Sequence, residues 1–186
     1  ERLNLDLCEL PAPPPLLAAT LAGLRGPISS PDVLLQALRA DATLAENWCA
    51  LVRPLSRGRG ENVSHAERLA LVGAQVGGHL LRMASLRTTL PPQDELDDWI
   101  WTHLRRTGLM AWRLAVTSGT VFPDDAYVAG LAHDAGKLAM KALDPQAYAS
   151  VAAEARATRR WAAPEWHAYG YEHTDMGARF LDSWGM

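Results

Sequence analysis

A chain of 186 residues that is 48% hydrophobic can bury one good core and is too short for several independent domains. Its net charge of -3 offers no basic surface for tracking phosphates, so direct nucleic-acid binding is not expected. Two cysteines, Cys8 and Cys49, rule out a zinc-thiolate site and argue against a disulfide scaffold. No stretch approaches the roughly 18 apolar residues of a membrane span, and the start lacks a basic-then-apolar leader, so a cytoplasmic location is expected. A first residue Glu1 and a last Met186 fit a piece of a longer protein, truncated at the C-terminus.

The elements read as helices almost throughout. Leu16, Leu17, Leu21 and Leu24 recur at helical spacing after a proline-rich entry, until Gly26-Pro27 stops the pattern. Ser30-Pro31-Asp32 opens a second helix, with Ser30 as its cap and Pro31 at the first turn, ending near Ala40. Asp41 caps a third, carrying Leu44, Trp48, Leu51 and Val52, before Pro54 and the Arg57-Gly58-Arg59-Gly60 loop. Ser64-His65-Ala66-Glu67 is a capping box for a short helix that Gly73 ends. A further helix passes through Val76, Leu80, Leu81 and Met83, and Pro91-Pro92 separates an N-terminal lobe, 1–92, from a C-terminal lobe, 93–186.

In the second lobe, Asp97 and Asp98 begin a long helix that runs to about Ser118 and stops at Gly119. Pro123-Asp124-Asp125 starts the next, which leads into His133-Asp134, and Asp144-Pro145 caps its successor. An amphipathic segment, Thr174 to Trp184, closes the chain. No segment alternates like a strand, so the fold class is all-α, one multi-helix bundle over 1–186.

The chemistry concentrates at Gly130-Leu131-Ala132-His133-Asp134-Ala135-Gly136-Lys137-Leu138. An adjacent imidazole and carboxylate can bind a metal if they sit at a helix end or turn, which Gly130 and Gly136 would permit. Helical proteins assemble such sites from ligands distant in sequence, and nitrogen with carboxylate oxygen favours Mn, Fe, Ni or Zn. His103 on the long helix and His173 at the entry to the last helix are the natural additions. Each also has a plain structural reading: His103 as a packing residue, His133 with Asp134 as a hydrogen-bonded helix-end pair, His173 as a residue stacking near Tyr169 and Tyr171, and Lys137 as a solvated surface charge. The tryptophans of this lobe, Trp99, Trp101, Trp112, Trp161, Trp166 and Trp184, read first as core and second as pocket lining.

The ordered set of motifs resembles the HDOD domain, a branch of the HD superfamily found in bacterial signalling proteins. It comprises Leu10-Pro11, then Asp41-Ala42-Thr43-Leu44 leading into Trp48 and Leu51, and Val63-Ser64-His65-Ala66 to Leu71-Val72-Gly73. The C-terminal marks are Trp101-Thr102-His103, Gly130 to Leu138, and His173-Thr174-Asp175-Met176-Gly177-Ala178 with Leu181 and Trp184-Gly185. Ala42 stands where the family's Asp-Pro-x-Leu segment has proline. The resemblance implies an HD-like helical bundle and, by position, His103, His133 and Asp134 as the first three ligands of a catalytic HD phosphohydrolase, with His173 similar to a later His of the cyclic-dinucleotide branch. The later Asp ligand has no clear match, since Asp175 and Asp182 fall in the wrong motif, and Gly170-Tyr171-Glu172 does not replace the Gly-Tyr-Pro segment. HDOD domains resemble regulatory modules that kept the scaffold and lost catalysis. The expected function is therefore a regulatory module with signalling-protein partners. The alternatives are a metal-dependent phosphohydrolase of a nucleotide or cyclic dinucleotide, or a nucleotide-binding module, with Lys137 and Arg105 or Arg106 near the phosphates.

Overall fold

The computed structural model describes residues 5–10, 18–19, 30–56 and 63–186. Of the helix expected around Leu16 to Leu24, only Ala18 and Ala19 are among the described residues, and both are helical; the Arg57 to Gly60 loop lies outside them. The helices are α1 Pro31–Ala40, α2 Ala42–Val52, α3 His65–Val72, α4 Ala74–Thr89, α5 Glu95–Ser118, α6 Pro123–Ala132, α7 Ala135–Leu143, α8 Pro145–Thr158, α9 Ala162–Tyr169 and α10 His173–Ser183. No strand occurs among the described residues, so the architecture is all-α.

Local chemistry sets most boundaries. Asp41 accepts from the Leu44 amide at 2.9 Å, Ser64 and Glu67 form the reciprocal capping box, and Asp144 accepts from the Ala147 amide at 3.1 Å. Each satisfies a first-turn amide that the helix cannot. Gly119 ends α5 in the left-handed region at φ 66, where glycine has no Cβ penalty. Two caps differ from expectation. Ser30 sits at the N-cap of α1, but its side chain makes no capping bond. The long helix begins earlier than Asp97: Asp94 caps it, accepting from the Leu96 and Asp97 amides. Asp97 is instead buried and accepts from Lys141 Nζ at 2.8 Å.

One cluster of buried apolar side chains runs from Leu34 to Trp184 and includes residues on both sides of Pro91-Pro92. Within the first lobe, Trp48 Nε1 donates to the Gly77 carbonyl at 3.1 Å. Across the junction, the buried Tyr127 hydroxyl donates to the Leu51 carbonyl at 2.9 Å, and burial pushes that hydroxyl's pKa up to about 12.

Two glycine crossings position the second lobe. A Cβ on Gly130 would stand 2.7 Å from the Gly108 Cα, so α5 and α6 touch backbone to backbone. A Cβ on Gly136 would collide with the His173 carbonyl, and Gly177 lies against the same turn, so α7 and α10 are equally close. Neither Gly130 nor Gly136 has a positive φ. Their role is close approach of helices, rather than the turn expected of them.

Candidate metal centre

The α6 to α7 junction is only two residues long: His133 is the C-cap of α6 and Asp134 the N-cap of α7. The Gly108–Gly130 crossing carries His103 of α5 to this junction, and the Gly136–Gly177 crossing carries His173 of α10 to its other side. The three groups His103, His133 and Asp134 converge. His103 Nε2 lies 3.2 Å from His133 Nε2 and 3.2 Å from Asp134 Oδ2, and His133 Nε2 lies 3.3 Å from the same oxygen.

This triangle fits one face of a divalent ion. Donors about 2.1 Å from a metal stand about 3.0 Å apart when cis in an octahedron and about 3.4 Å apart in a tetrahedron. The orientation of His133 points the same way. Its Nδ1 is 2.9 Å from the Gly130 carbonyl and donates to it, which leaves the Nε2 lone pair of the neutral ring facing the Asp134 oxygen. Two facing lone pairs need a cation between them, either a proton or a metal. With a proton there, the hydrogen bond to Asp134 raises the His133 pKa, against burial. Burial, with the charges of His133 and Lys137, lowers the pKa of His103, although Asp134 opposes this. His103 therefore keeps a free lone pair at neutral pH. These three residues could hold a metal ion.

His173 stands apart from that triangle. Its Nε2 is 3.1 Å from the other oxygen of Asp134, Oδ1, and its Nδ1 is 2.5 Å from Glu165 Oε2. Burial pulls this pKa down, but hydrogen bonds to Asp134 and Glu165 outweigh it and raise the imidazole to about 9. Both ring nitrogens are spent as donors. Glu165, fully buried, also accepts from the His173 amide at 2.9 Å and from the Tyr148 hydroxyl at 2.9 Å. A continuous chain, Asp134–His173–Glu165–Tyr148, thus fixes the carboxylate from inside.

Lys137 is 3% exposed, which corrects the reading of it as a solvated charge. Its ammonium reaches Asp134 Oδ2 at 2.5 Å and lies 4.1 Å from the centroid of the Trp161 ring. Trp161 stacks on Trp99 at 5.4 Å, and Trp99 stacks on His103 at 5.5 Å. These two tryptophans line the centre, whereas Trp48, Trp101 and Trp184 belong to the core. Burial pushes the Asp134 carboxyl up, yet hydrogen bonds from His133, His173 and Lys137 prevail and hold it well below the usual carboxylate range.

Residues 10–186 match the HDOD domain family. The chain belongs to that family. Two solved structures share its fold. One is a "Putative phosphohydrolase" from Shewanella amazonensis SB2B, 22% identical, with a TM-score of 0.72 over 97% of this chain and 65% of that one. The other is an HDOD domain protein with unknown function from Geobacter sulfurreducens, 21% identical, with a TM-score of 0.67 over 97% of this chain and 61% of that one. The chain spans under two thirds of the length of each. Curated proteins give no significant match.

Nothing in the sequence of this HDOD domain marks Glu165, Tyr148 or helix α9 as part of the site. Lys137 is legible by spacing, because an acid at Asp134 and a lysine three residues on lie close together. Glu165 offered no comparable signal, being separated from His173 by a turn whose geometry only the fold supplies. No helix among the described residues is long and apolar enough to cross a membrane.

Proposed function

We propose that this HDOD domain is a regulatory interaction module of the cytoplasm that passes a conformational state to signalling-protein partners and turns over no substrate. The observation that supports this is the donor count at the centre. Among the described residues, Asp134 is the one carboxylate grouped with His103 and His133. Its charge is already matched by Lys137 and by protonated His173. A catalytic site of the HD phosphohydrolases that the chain resembles draws a further carboxylate onto its metal, and no further carboxylate joins this group among the described residues.

A metal-dependent phosphohydrolase is the competing reading, favoured by the metal-like spacing of His103, His133 and Asp134. Nitrogen and oxygen donors in that set suit Mn, Fe, Ni or Zn. A divalent ion bound there would polarise a phosphate oxygen and lower the pKa of a coordinated water. Lys137 would add a positive charge beside a bound phosphate while still donating to Asp134, and Trp161 lies over its ammonium.

Turnover assays on nucleotide and cyclic-dinucleotide phosphoesters, with each of these ions added, separate the two. The module reading expects rates no higher than those of His133→Ala. Reproducible metal-dependent hydrolysis that disappears in both His133→Ala and Asp134→Ala would overturn it. Calorimetry against the same nucleotides tests binding without turnover through Lys137 and Arg105 or Arg106.

A further inference from the structure

The far half of the α5–α6 hairpin carries an apolar surface that no element among the described residues covers. Among the described residues, five of the seven exposed large apolar side chains lie between residues 110 and 122: Met110, Leu114, Val116, Val121 and Phe122. Beyond Gly108, α5 buries only Ala115. A groove of about 730 Å³ opens at the tip, lined by Val116, Val121 and Phe122 among others. Phe122 is 80% exposed and occupies the N-cap of α6 without a side-chain capping bond. Serine or aspartate there would serve the helix better by about 1 kcal/mol, so the position carries an apolar ring at the expense of its helix. Concentrated exposed apolar surface of this kind marks an interaction site.

The charges identify the occupant. From Trp99 to Ser118, α5 contains Arg105, Arg106 and Arg113 and no acid, while α6 contains Asp124 and Asp125 and no base. Arg106, Met110, Arg113 and Leu114 share one exposed face by helical spacing, and among the described residues Arg106 and Arg113 form no ion pair. A partner of one charge sign would suit one helix and repel the other. A second copy of the chain suits both, because a two-fold axis along the hairpin sets α5 of each copy beside α6 of the other. The antiparallel helices touch at Gly108 and Gly130, which places Arg113, five residues after Gly108, level with Asp125, five residues before Gly130. The two-fold keeps that level, so Arg113 of one copy meets Asp125 of the other. Exposed Ala129 on α6 leaves room for Leu114 and Met110 to approach.

We infer that the α5–α6 hairpin is a homodimerisation surface, forming an antiparallel four-helix bundle with its counterpart through Met110, Leu114, Phe122 and the Arg113–Asp125 pair. This holds whichever way the turnover assays fall. Sedimentation equilibrium of the chain at about 100 µM, well above a micromolar dissociation constant, is expected to give twice the monomer mass. Phe122→Ser is expected to give monomer with an unfolding temperature equal to or above the parent, since serine restores the cap. Arg113→Glu and Asp125→Lys singly are expected to raise the dissociation constant about tenfold, and the double variant to recover most of that loss. A monomeric parent, a dimer indifferent to Phe122→Ser, or a double variant no tighter than the singles each overturns the inference. Should Asp125→Lys fail to fold, Phe122→Ser and Arg113→Glu still decide it.

Discussion

The two oxygens of Asp134 face different chemistry, although histidine is the partner on both sides. Oδ2 meets His103 and His133, whose rings are 37% and 35% exposed. Oδ1 meets His173, whose side chain is 11% exposed and whose other nitrogen is held by a fully buried carboxylate. On the outer side, the Nδ1 of His133 is bound to a backbone carbonyl, so Nε2 offers a lone pair. On the inner side, carboxylates at both ends hold a proton on each nitrogen. The partner on the far side of the ring therefore decides whether a histidine is a ligand or a cation. Residue type alone does not.

The largest expected effect is on the inner side. Glu165→Ala removes the acceptor for the Tyr148 hydroxyl, the His173 ring and the His173 amide at once. Breaking a buried charge pair by deleting one partner typically costs about 3–5 kcal/mol, and that loss is expected in urea unfolding. Glu165→Gln keeps an acceptor for Tyr148 and is expected to lose less. A change below about 1 kcal/mol for Glu165→Ala would mean that the inner chain does not hold the fold, and the contrast between the two sides would collapse.

The pH dependence of metal-free protein sharpens the same contrast. His173 is raised from its ordinary 6.5 to about 9, so its stabilising contribution is complete below pH 6.5 and is lost as pH rises through about 9. The integrated loss is on the order of 3 kcal/mol. Asp134 has the opposite sign: its carboxyl is held low, so its contribution is present above the usual carboxylate range and fades only on acidification. Urea midpoints from pH 6 to 10 should fall on the alkaline side, and the fall should vanish in His173→Phe. A flat profile in the parent would show that His173 is neutral in the folded protein.

Much of this was legible before the fold was known, and the exceptions have physical causes. Caps at Asp41, Ser64, Gly119 and Asp144 are local chemistry, so sequence neighbours suffice to find them. The convergence of His103 with His133-Asp134 was legible through family resemblance, not spacing, because it depends on a Gly108–Gly130 contact between two helices. Lys137 reads as a solvated charge because lysine is rarely buried; spacing offers Asp134 as a partner, but the Trp161 ring that covers its ammonium is visible only in three dimensions. The helix expected to begin at Asp97 starts two residues earlier for a related reason: Asp94 supplies the cap, and Asp97 turns inward to Lys141. Glu165 was invisible because nothing in an isolated Pro164-Glu165-Trp166 segment marks its carboxyl as fully buried.

The smallest effect on stability is expected on the outer side. His103 is partly exposed, stacks on Trp99 and makes no buried hydrogen bond that its loss would orphan, so His103→Ala should change unfolding free energy by under about 1 kcal/mol. Its Nε2 is nevertheless one of only three donors in the triangle. Removing it should weaken divalent-ion binding at least as much as losing an outer partner of a ligand does, roughly 10–100-fold, read by the visible absorption of added Co(II). His173→Gln should show the reverse pattern, with a larger loss of stability and a smaller loss of Co(II) affinity, because it orients Asp134 without facing the ion. Equal losses of affinity in the two variants would place His173 among the donors and erase the division of Asp134 into an outer oxygen that shares the triangle and an inner, structural one.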